Sequence, residues 1–415
     1  MLKKLILEDW KSFRYAELPL DPLTVLIGTN ASGKSNVVEA LEFLQRIANG
    51  ENIEAALAGD KTLPAIRGGV EGAAKHGENS FTLKVLVYGT VAKKDYIYSI
   101  SIENQKFIRI IDESLSCIKI PFNSNNEKYP EKEILFQTNK SDSHSLNIDV
   151  IFYDYAAHIY RKQGFRQDKS ILSQISGLSM KMIEAININS QILQNLFVLN
   201  PIPLTMRNYS RVSENIESDG SNIAGVLAGL PDEKKTEIEN TLSEYLKDLP
   251  EGDIKKVWAE KVGRLGTDAM LYCQEEWKPG EIIEIDARSM SDGTLRFLAI
   301  LTALLTRPEG SQIVIEEIDN GLHPSRAALL VKILKEIGSK RNIDILLTTH
   351  NPALLDAFGP EIVPFVVVAH RDSETGESKL TLLEDIDNFP KLFASYSLGQ
   401  MTTKGAIERS LSHGE

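Results

Sequence analysis

"LTVLIGTNASGKSNVVEALEFLQRIA", Leu23 to Ala48, sets an apolar, β-branched run directly before a glycine-rich turn and a helix-like run directly after it. Gly28, four intervening residues, Gly33, Lys34 and Ser35 match the phosphate-loop spacing G-x-x-x-x-G-K-[ST], with strand and helix on the required sides. Glycines let successive backbone N–H groups point inward around a phosphate, and the start of the following helix adds its positive dipole end. Lys34 is expected to reach the β- and γ-phosphates, and the Ser35 hydroxyl to hold a magnesium ion. A plain strand-to-helix turn would not need Lys34 and Ser35 together.

Such a loop serves kinases, GTPases and many ATPases, so the rest of the site has to discriminate among them. Far down the chain comes "SQIVIEEIDNGLHP", Ser311 to Pro324. Ile313 to Ile315 read as a buried strand, and Glu316 and Glu317 stand at its C-terminal end, where an open α/β sheet binds ligands. The first acid can hold magnesium and the second can orient and deprotonate an attacking water. Without Lys34 elsewhere in the chain, two such acids would equally well begin a solvated turn. "RSMSDGTLRFLAILTALL", Arg288 to Leu305, starts as a polar turn and runs into an apolar helix; "IDILLTTHNPALL", Ile343 to Leu355, is an apolar strand ending in Thr348, Thr349 and His350.

The order of these four segments is similar to that of the ABC-type ATPases. The opening "LILEDWKSFRYAELPLDPLTVLIGTNASGKSN" and the segment "EEIDNGLHP" resemble the SMC/RecF/OLD branch, whose members act on DNA or in defence against phage, rather than membrane transporters. Ile318 and Asp319 depart from that branch's "EEPExGLHP", and "MSDGT" stands where transporters have Leu-Ser-Gly-Gly-Gln. The resemblance covers roughly residues 1 to 110 and 280 to 370.

It implies an α/β nucleotide-binding domain, a mixed sheet plus an antiparallel meander, with ATP and Mg2+ as cofactors. Gly28, Asn30, Gly33, Lys34, Ser35 and Asn36 would surround the nucleotide, and Ser35 and Glu316 the metal. Glu317 would activate water, with His350 and Lys34 at the γ-phosphate. Ser291 and Gly293 would touch the γ-phosphate of ATP held by an opposite subunit. Lys11 and Arg14 resemble residues near the α-phosphate and adenine, although a solvated hairpin fits them equally. His323 would lie at the subunit junction. The branch's magnesium-binding glutamine has no clear counterpart; "AIRGGVEGAAKHGENS", Ala65 to Ser80, is the candidate region.

At 415 residues and 42% hydrophobic composition, the chain suits two domains or one large domain with an insertion. Cys117 and Cys273 stand alone, without disulfide or zinc spacing. A net charge of −12 argues against a surface that coats nucleic acid, while leaving room for a local basic groove. The longest uncharged apolar stretch, Phe297 to Leu305, is too short to span a bilayer, and Glu8 and Asp9 interrupt any secretory core, so a cytoplasmic protein with no membrane role is expected.

Residues 1–150 are expected to form the first half of the ATPase domain, 151–279 a mainly helical insertion, and 280–415 the second half with a short tail. Phe81 to Ser116 alternates as an antiparallel meander, and 122–146 reads as long turns or a hairpin. No heptads persist, so long coiled-coil arms are not expected. Arg161, Lys162, Arg166 and Lys169, interleaved with Tyr160 and Phe165, make DNA a candidate partner, although a solvated face is the commoner outcome. The resemblance extends to ATPases of prokaryotic anti-phage systems such as PARIS, Septu and Menshen-like operons. It implies a homodimer or higher oligomer with ATP at the interface, controlling a separate effector of nuclease class; RecF-like loading of DNA-repair partners is the alternative. A nuclease of the Toprim kind is not expected in the short tail after the last expected core strand. The tail's Leu392, Phe393, Tyr396 and Leu398 would dock on another chain or fold back on the insertion.

Overall fold

The computed structural model describes residues 1–61, 63–89, 94–104, 108–119, 131–139, 146–154, 158–175 and 180–412. Its centre is a six-stranded sheet in the order Leu196–Leu199, Gln312–Ile315, Asp344–Thr348, Leu23–Ile27, Val366–Arg371, Ser378–Leu382. The first five strands run parallel and the last pairs antiparallel. Parallel strands must be buried on both faces, which explains why "IVI", "ILLT" and "TVLI" read as unbroken apolar runs.

Successive residues along these strands point into different cores. Val25, Ile27, Ile313, Ile315, Ile345 and Leu347 enter one core; Leu26, Val314 and Leu346 enter the other. On the second face lies the helix Lys34–Ala48, packed through Val37, Val38, Leu41 and Leu44 beneath an eight-stranded antiparallel sheet. On the first face lie the helices Asp292–Thr306 and Ala327–Arg341, backed by a smaller sheet in which Asp268–Lys278 pairs with Ile254–Val262 and Glu281–Asp286. The phosphate-loop helix and the helix after Ser291 therefore sit on opposite faces of the sheet.

The expected meander is present as Ser80–Tyr88, Lys94–Asn104 and Ile108–Lys119. Glu131–Asn139 extends it as a further strand, and the rest of the turn-or-hairpin segment at 122–130 and 140–145 lies outside the described residues. The expectation of a mainly helical 151–279 needs correction. Helices do fill much of 171–247, but Ile159–Arg166 ends the large sheet, Leu196–Leu199 is an edge strand of the central sheet, and 254–278 forms two long strands. "LFVL" is too short for periodicity to separate strand from helix, and the apolar residues of "IKKVWAEKV", Ile254, Val257, Trp258, Ala259 and Val262, do not alternate, so neither segment announces a strand. The longest helix among the described residues, Asp232–Lys247, has 16 residues, in keeping with the expected lack of coiled-coil arms.

Cys117 and Cys273 are buried free thiols. The tail folds on its own chain: Leu398 and Met401 are buried in the first core, and Gly399 N donates to Asp356 Oδ1 at 2.8 Å. Its support is the helix Pro352–Phe358 rather than the insertion; a Cβ on Gly399 would lie 2.4 Å from the Pro352 carbonyl oxygen. Leu392 and Tyr396 pack against the same core, leaving Phe393 exposed.

Candidate nucleotide-binding site

Gly28 leaves its strand at φ 143°, where a Cβ would stand 2.1 Å from the Ala369 carbonyl oxygen of the neighbouring strand, so glycine alone fits. At the crest Ala31 holds φ 63°, and Arg371 Nε donates to its carbonyl at 2.9 Å. Gly33, at φ 112°, begins the helix Lys34–Ala48 with no side chain capping it. The Ser32 hydroxyl inside the loop is buried and without a hydrogen-bond partner. An uncapped helix start and an orphaned hydroxyl are the donors a phosphate would satisfy.

Lys34 Nζ donates to the carbonyls of Gly28 at 2.7 Å and Thr29 at 2.9 Å, closing over the loop. Burial lowers the Lys34 pKa from its ordinary value, opposed by the charges of Glu317, Glu316 and Asp319. Asn30 is exposed at the loop tip. Asn36 Nδ2 donates to Ser12 Oγ at 2.7 Å, and Trp10 Nε1 to the Asn36 carbonyl at 2.7 Å, so the N-terminal hairpin is tied to the first turn of the helix. Trp10 completes that tie by packing edge-on against Phe81.

The paired acids arrive at the adjacent C-terminal edge. Glu316 N donates to the Leu199 carbonyl at 3.2 Å, and the Ser35 hydroxyl donates to Glu316 Oε1 across 281 residues of sequence. At Glu317 the chain turns with φ 48°, a sparsely populated conformation costing about 1–3 kcal/mol. Thr348 holds this turn, its Oγ1 accepting from Glu317 N at 2.7 Å and its carbonyl from Ile318 N at 3.1 Å. Thr349 Oγ1 donates to Asp319 Oδ1 at 2.5 Å, so the aspartate that departs from the expected glutamate anchors the acid turn to the next strand. His350 follows, exposed at that strand's end.

The adjoining Ser35 hydroxyl and Glu316 carboxylate fit a hard cation such as magnesium, which prefers oxygen donors and takes few protein ligands beside substrate phosphates. Among the described residues no group of three or more His, Cys, Asp or Glu side chains could hold an ion. Such a cation would supply charge neutralisation between phosphate oxygens.

The two basic residues of the hairpin turn part company. Lys11 is buried, pairing with Glu39 of the phosphate-loop helix and donating to the Arg67 carbonyl at 2.8 Å; burial lowers its pKa against the pull of Glu39. Arg14 is exposed and pairs with Asp9 at 2.9 Å and Glu78 at 2.6 Å. Lys11, Ser12, Asn36, Arg67 and Arg371 line a cleft of about 700 Å³ beside the loop.

Ser291, Gly293 and the start of the helix Asp292–Thr306 lie apart from this cluster. Ser291 Oγ accepts from Thr294 N at 3.1 Å, capping its own helix, and Ser291 and Asp292 are exposed. A Cβ on Gly293 would meet the Gly321 carbonyl oxygen at 2.9 Å and Arg326 Nη1 at 3.1 Å, so this glycine lets the loop after the acids pack against the helix start. His323 Nδ1 lies 2.8 Å from Ser325 Oγ and caps its own short turn.

The segment Ala65 to Ser80 contains no glutamine, but it delivers Arg67, whose Nε donates to Glu39 Oε1 at 2.6 Å while Nη2 lies 3.6 Å from Glu316 Oε1. Arg67, Glu39, Arg371 and the Asp319–Thr349 pair escaped sequence reading; the Arg-Gly-Gly run at 67–69 was the one local cue. The basic-aromatic segment forms the edge strand Ile159–Arg166. Arg161 pairs with Asp154 at 2.6 Å, Lys162 with Asp149 at 2.7 Å, and Arg166 with Asp168, so neighbouring carboxylates neutralise much of its charge.

A phosphate loop, paired acids and a strand-end histidine on adjacent parallel strands define a nucleotide-binding protein of the α/β class. The family model described as "AAA domain, putative AbiEii toxin, Type IV TA system" matches residues 23–161 and 214–356, more than half of the chain, and the chain belongs to that family of AAA domains. The chain is similar to the SMC head domain from Thermotoga maritima, at 14% identity over 92% of this chain and 98% of that one, with a TM-score of 0.44. It is also similar to an Smc head domain with an extended coiled coil bound to the C-terminal domain of ScpA, derived from Pyrococcus furiosus, at 13% identity over 95% and 99% of the chains, with a TM-score of 0.49. No curated protein matches it. Among the described residues no helix is long and apolar enough to cross a membrane.

Proposed function

We propose that this chain is an ABC-type ATPase that closes head to tail as a dimer around two ATP molecules and uses their hydrolysis as a conformational switch. The observation that carries the reading is the Ser35–Glu316 hydrogen bond, which joins the phosphate loop to the paired acids, while Ser291 and its helix lie on the other face of the sheet. Lys34 exchanges its loop carbonyls for β- and γ-phosphate oxygens, and the helix start at Gly33 takes up the remaining charge. Ser35 and Glu316 hold the cation. Glu317, aimed by Thr348, accepts the proton of the attacking water, and His350 contacts the γ-phosphate from the same side. Lys11 and Arg371 flank the cleft that receives the ribose and base. In the closed pair, Ser291 and Gly293 meet the partner's nucleotide, and His323 lies at the junction.

In this reading the switch operates within prokaryotic anti-phage defence and controls a separate effector of nuclease type. The family description, which names an abortive-infection toxin and a toxin–antitoxin system, supports that setting. Arg161 and Lys162 of the Ile159–Arg166 strand are paired with Asp154 and Asp149 of the neighbouring strand, which gives the alternative, DNA-loading role no particular support. Purified protein is expected to hydrolyse ATP without cutting plasmid, single-stranded DNA or RNA, with protection against phage requiring a second gene product. Cleavage that copurifies with the chain and disappears in a point mutant of it overturns the sensor role. Absence of any ATP turnover overturns the enzyme assignment itself.

A further inference from the structure

The loop after Ala65 carries a side chain that the ATPase reading leaves without a role. Arg67 lies over the phosphate-loop helix, with its Nε donating to Glu39 Oε1 at 2.6 Å and its Nη2 3.6 Å from Glu316 Oε1. That Glu316 oxygen is the one that accepts the Ser35 hydroxyl. A guanidinium is donor-only and cannot ligate a metal, so it cannot act there as the glutamine of related ATPases would. What it can do is neutralise the carboxylate that a cation would otherwise neutralise.

The surroundings leave the side chain free to move while holding its backbone. Lys11 Nζ donates to the Arg67 carbonyl at 2.8 Å, and buried Ile66 accepts from Gly69 N at 2.8 Å. Gly68 and Gly69 follow at φ 80° and 53°, and a Cβ on Gly72 would lie 2.9 Å from the Gly68 Cα, so the turn is tight and built on glycine. The Arg67 side chain is nonetheless 66% exposed. Glu39 keeps Lys11 as a second partner, so departure of Arg67 does not strand a buried charge.

We propose that Arg67 competes with the divalent cation for Glu316 and gives way when a nucleotide brings that cation in. The inference rests on the ATPase reading and deepens it: the position of Arg67 reports whether the metal subsite is loaded. Two positive groups on one carboxylate repel each other, so the arginine and the cation compete.

The test is a magnesium titration of fluorescent ADP binding to the full-length chain at constant ionic strength. ADP lacks the γ-phosphate, which confines the comparison to the cation. In Arg67→Ala the magnesium concentration for half-maximal binding falls about 3- to 10-fold, the scale expected when one nearby, partly screened like charge is removed. Arg67→Lys, which keeps the charge, stays near wild type, and Arg67→Gln shifts in the same direction as Arg67→Ala. Thermal melts establish that each variant is folded. An unchanged or higher magnesium requirement in folded Arg67→Ala and Arg67→Gln, with wild type binding ADP normally, overturns the competing role alone. Wild-type protein that binds neither ADP nor ATP overturns this inference and the ATPase reading together.

Discussion

Two helices of 15 residues begin in this protein's glycine-containing turns, and their first turns are completed in opposite ways. Lys34–Ala48 starts on Gly33 with no capping side chain, whereas Asp292–Thr306 starts on Ser291, whose hydroxyl takes up the Thr294 N–H. Free N–H groups at a helix start must find acceptors, and a serine cap is worth about 1 kcal/mol. The first helix is left open for a ligand, and everything else that ligand needs, from Lys34 to Glu316 and Glu317, converges on it within the same chain. The second satisfies itself and presents Ser291 and Asp292 to solvent. One is half of a site completed in cis. In the proposed dimer, the other presents its serine to the nucleotide of a second molecule.

The sharpest way to probe the first half is Glu317→Gln, which keeps shape and hydrogen bonding but removes the base. ATP turnover, followed by phosphate release, should fall by about a hundredfold or more while ATP binding persists. Wild-type turnover in this variant would leave the cis half without its assigned base. Lys34→Ala acts earlier: with a charge-assisted contact worth about 1.5–3 kcal/mol, calorimetry should show ATP affinity about 10- to 100-fold weaker.

Ser291→Arg separates the two halves. ATP affinity should stay within about twofold of wild type, because no group of the cis cluster is touched, while the ATP-induced dimer of the Glu317→Gln background disappears in analytical ultracentrifugation. Mixing Lys34→Ala with Ser291→Arg should restore activity at one composite site. If freely exchanging mixtures stay inactive, Ser291 is not shared in trans.

A third helix start sharpens the comparison, because it is filled by a carboxyl group of the protein's own. Glu113, fully buried, accepts from Ile171 N at 2.8 Å, Leu172 N at 2.9 Å, Ser170 Oγ at 2.9 Å and the Tyr98 hydroxyl at 2.9 Å. Burial pushes its pKa up to about 7 despite these donors. A carboxyl whose folded pKa is raised binds more protons folded than unfolded, so stability is highest below the unfolded value and declines as pH rises towards 7, then levels off. Urea denaturation from pH 5 to 8 should show a decline on the order of 2 kcal/mol that Glu113→Gln removes. An identical slope in both proteins would assign the pH dependence to other groups.

The elements that define the cis half were legible because their signals are local. An apolar run, a glycine spacing and a helix-forming run identify the phosphate loop without any knowledge of what surrounds it, and the same holds for the acids ending "IVI" and the histidine ending "ILLTTH". The antiparallel meander was equally plain in its alternation. Lys11 shows the limit: its neighbourhood in sequence allowed a nucleotide contact or a solvated turn, and the structure buries it against Glu39, a partner 28 positions away.

By itself, then, the sequence determined the class of fold, the loop, the acids and the helix start at Ser291, all of them contiguous patterns whose geometry follows from backbone dihedrals and side-chain periodicity. Tertiary structure decided which of these meet. The four-residue strand Leu196–Leu199, the Ser35–Glu316 contact, the Thr349–Asp319 anchor and Arg67 beside Glu316 all depend on the order of parallel strands. That order is set by long crossovers and by which apolar faces pack together, and no short stretch of chain records it. The division of the sheet's two faces between the phosphate-loop helix and the Ser291 helix has the same origin, since it follows from how alternate residues of five parallel strands are shared between two cores.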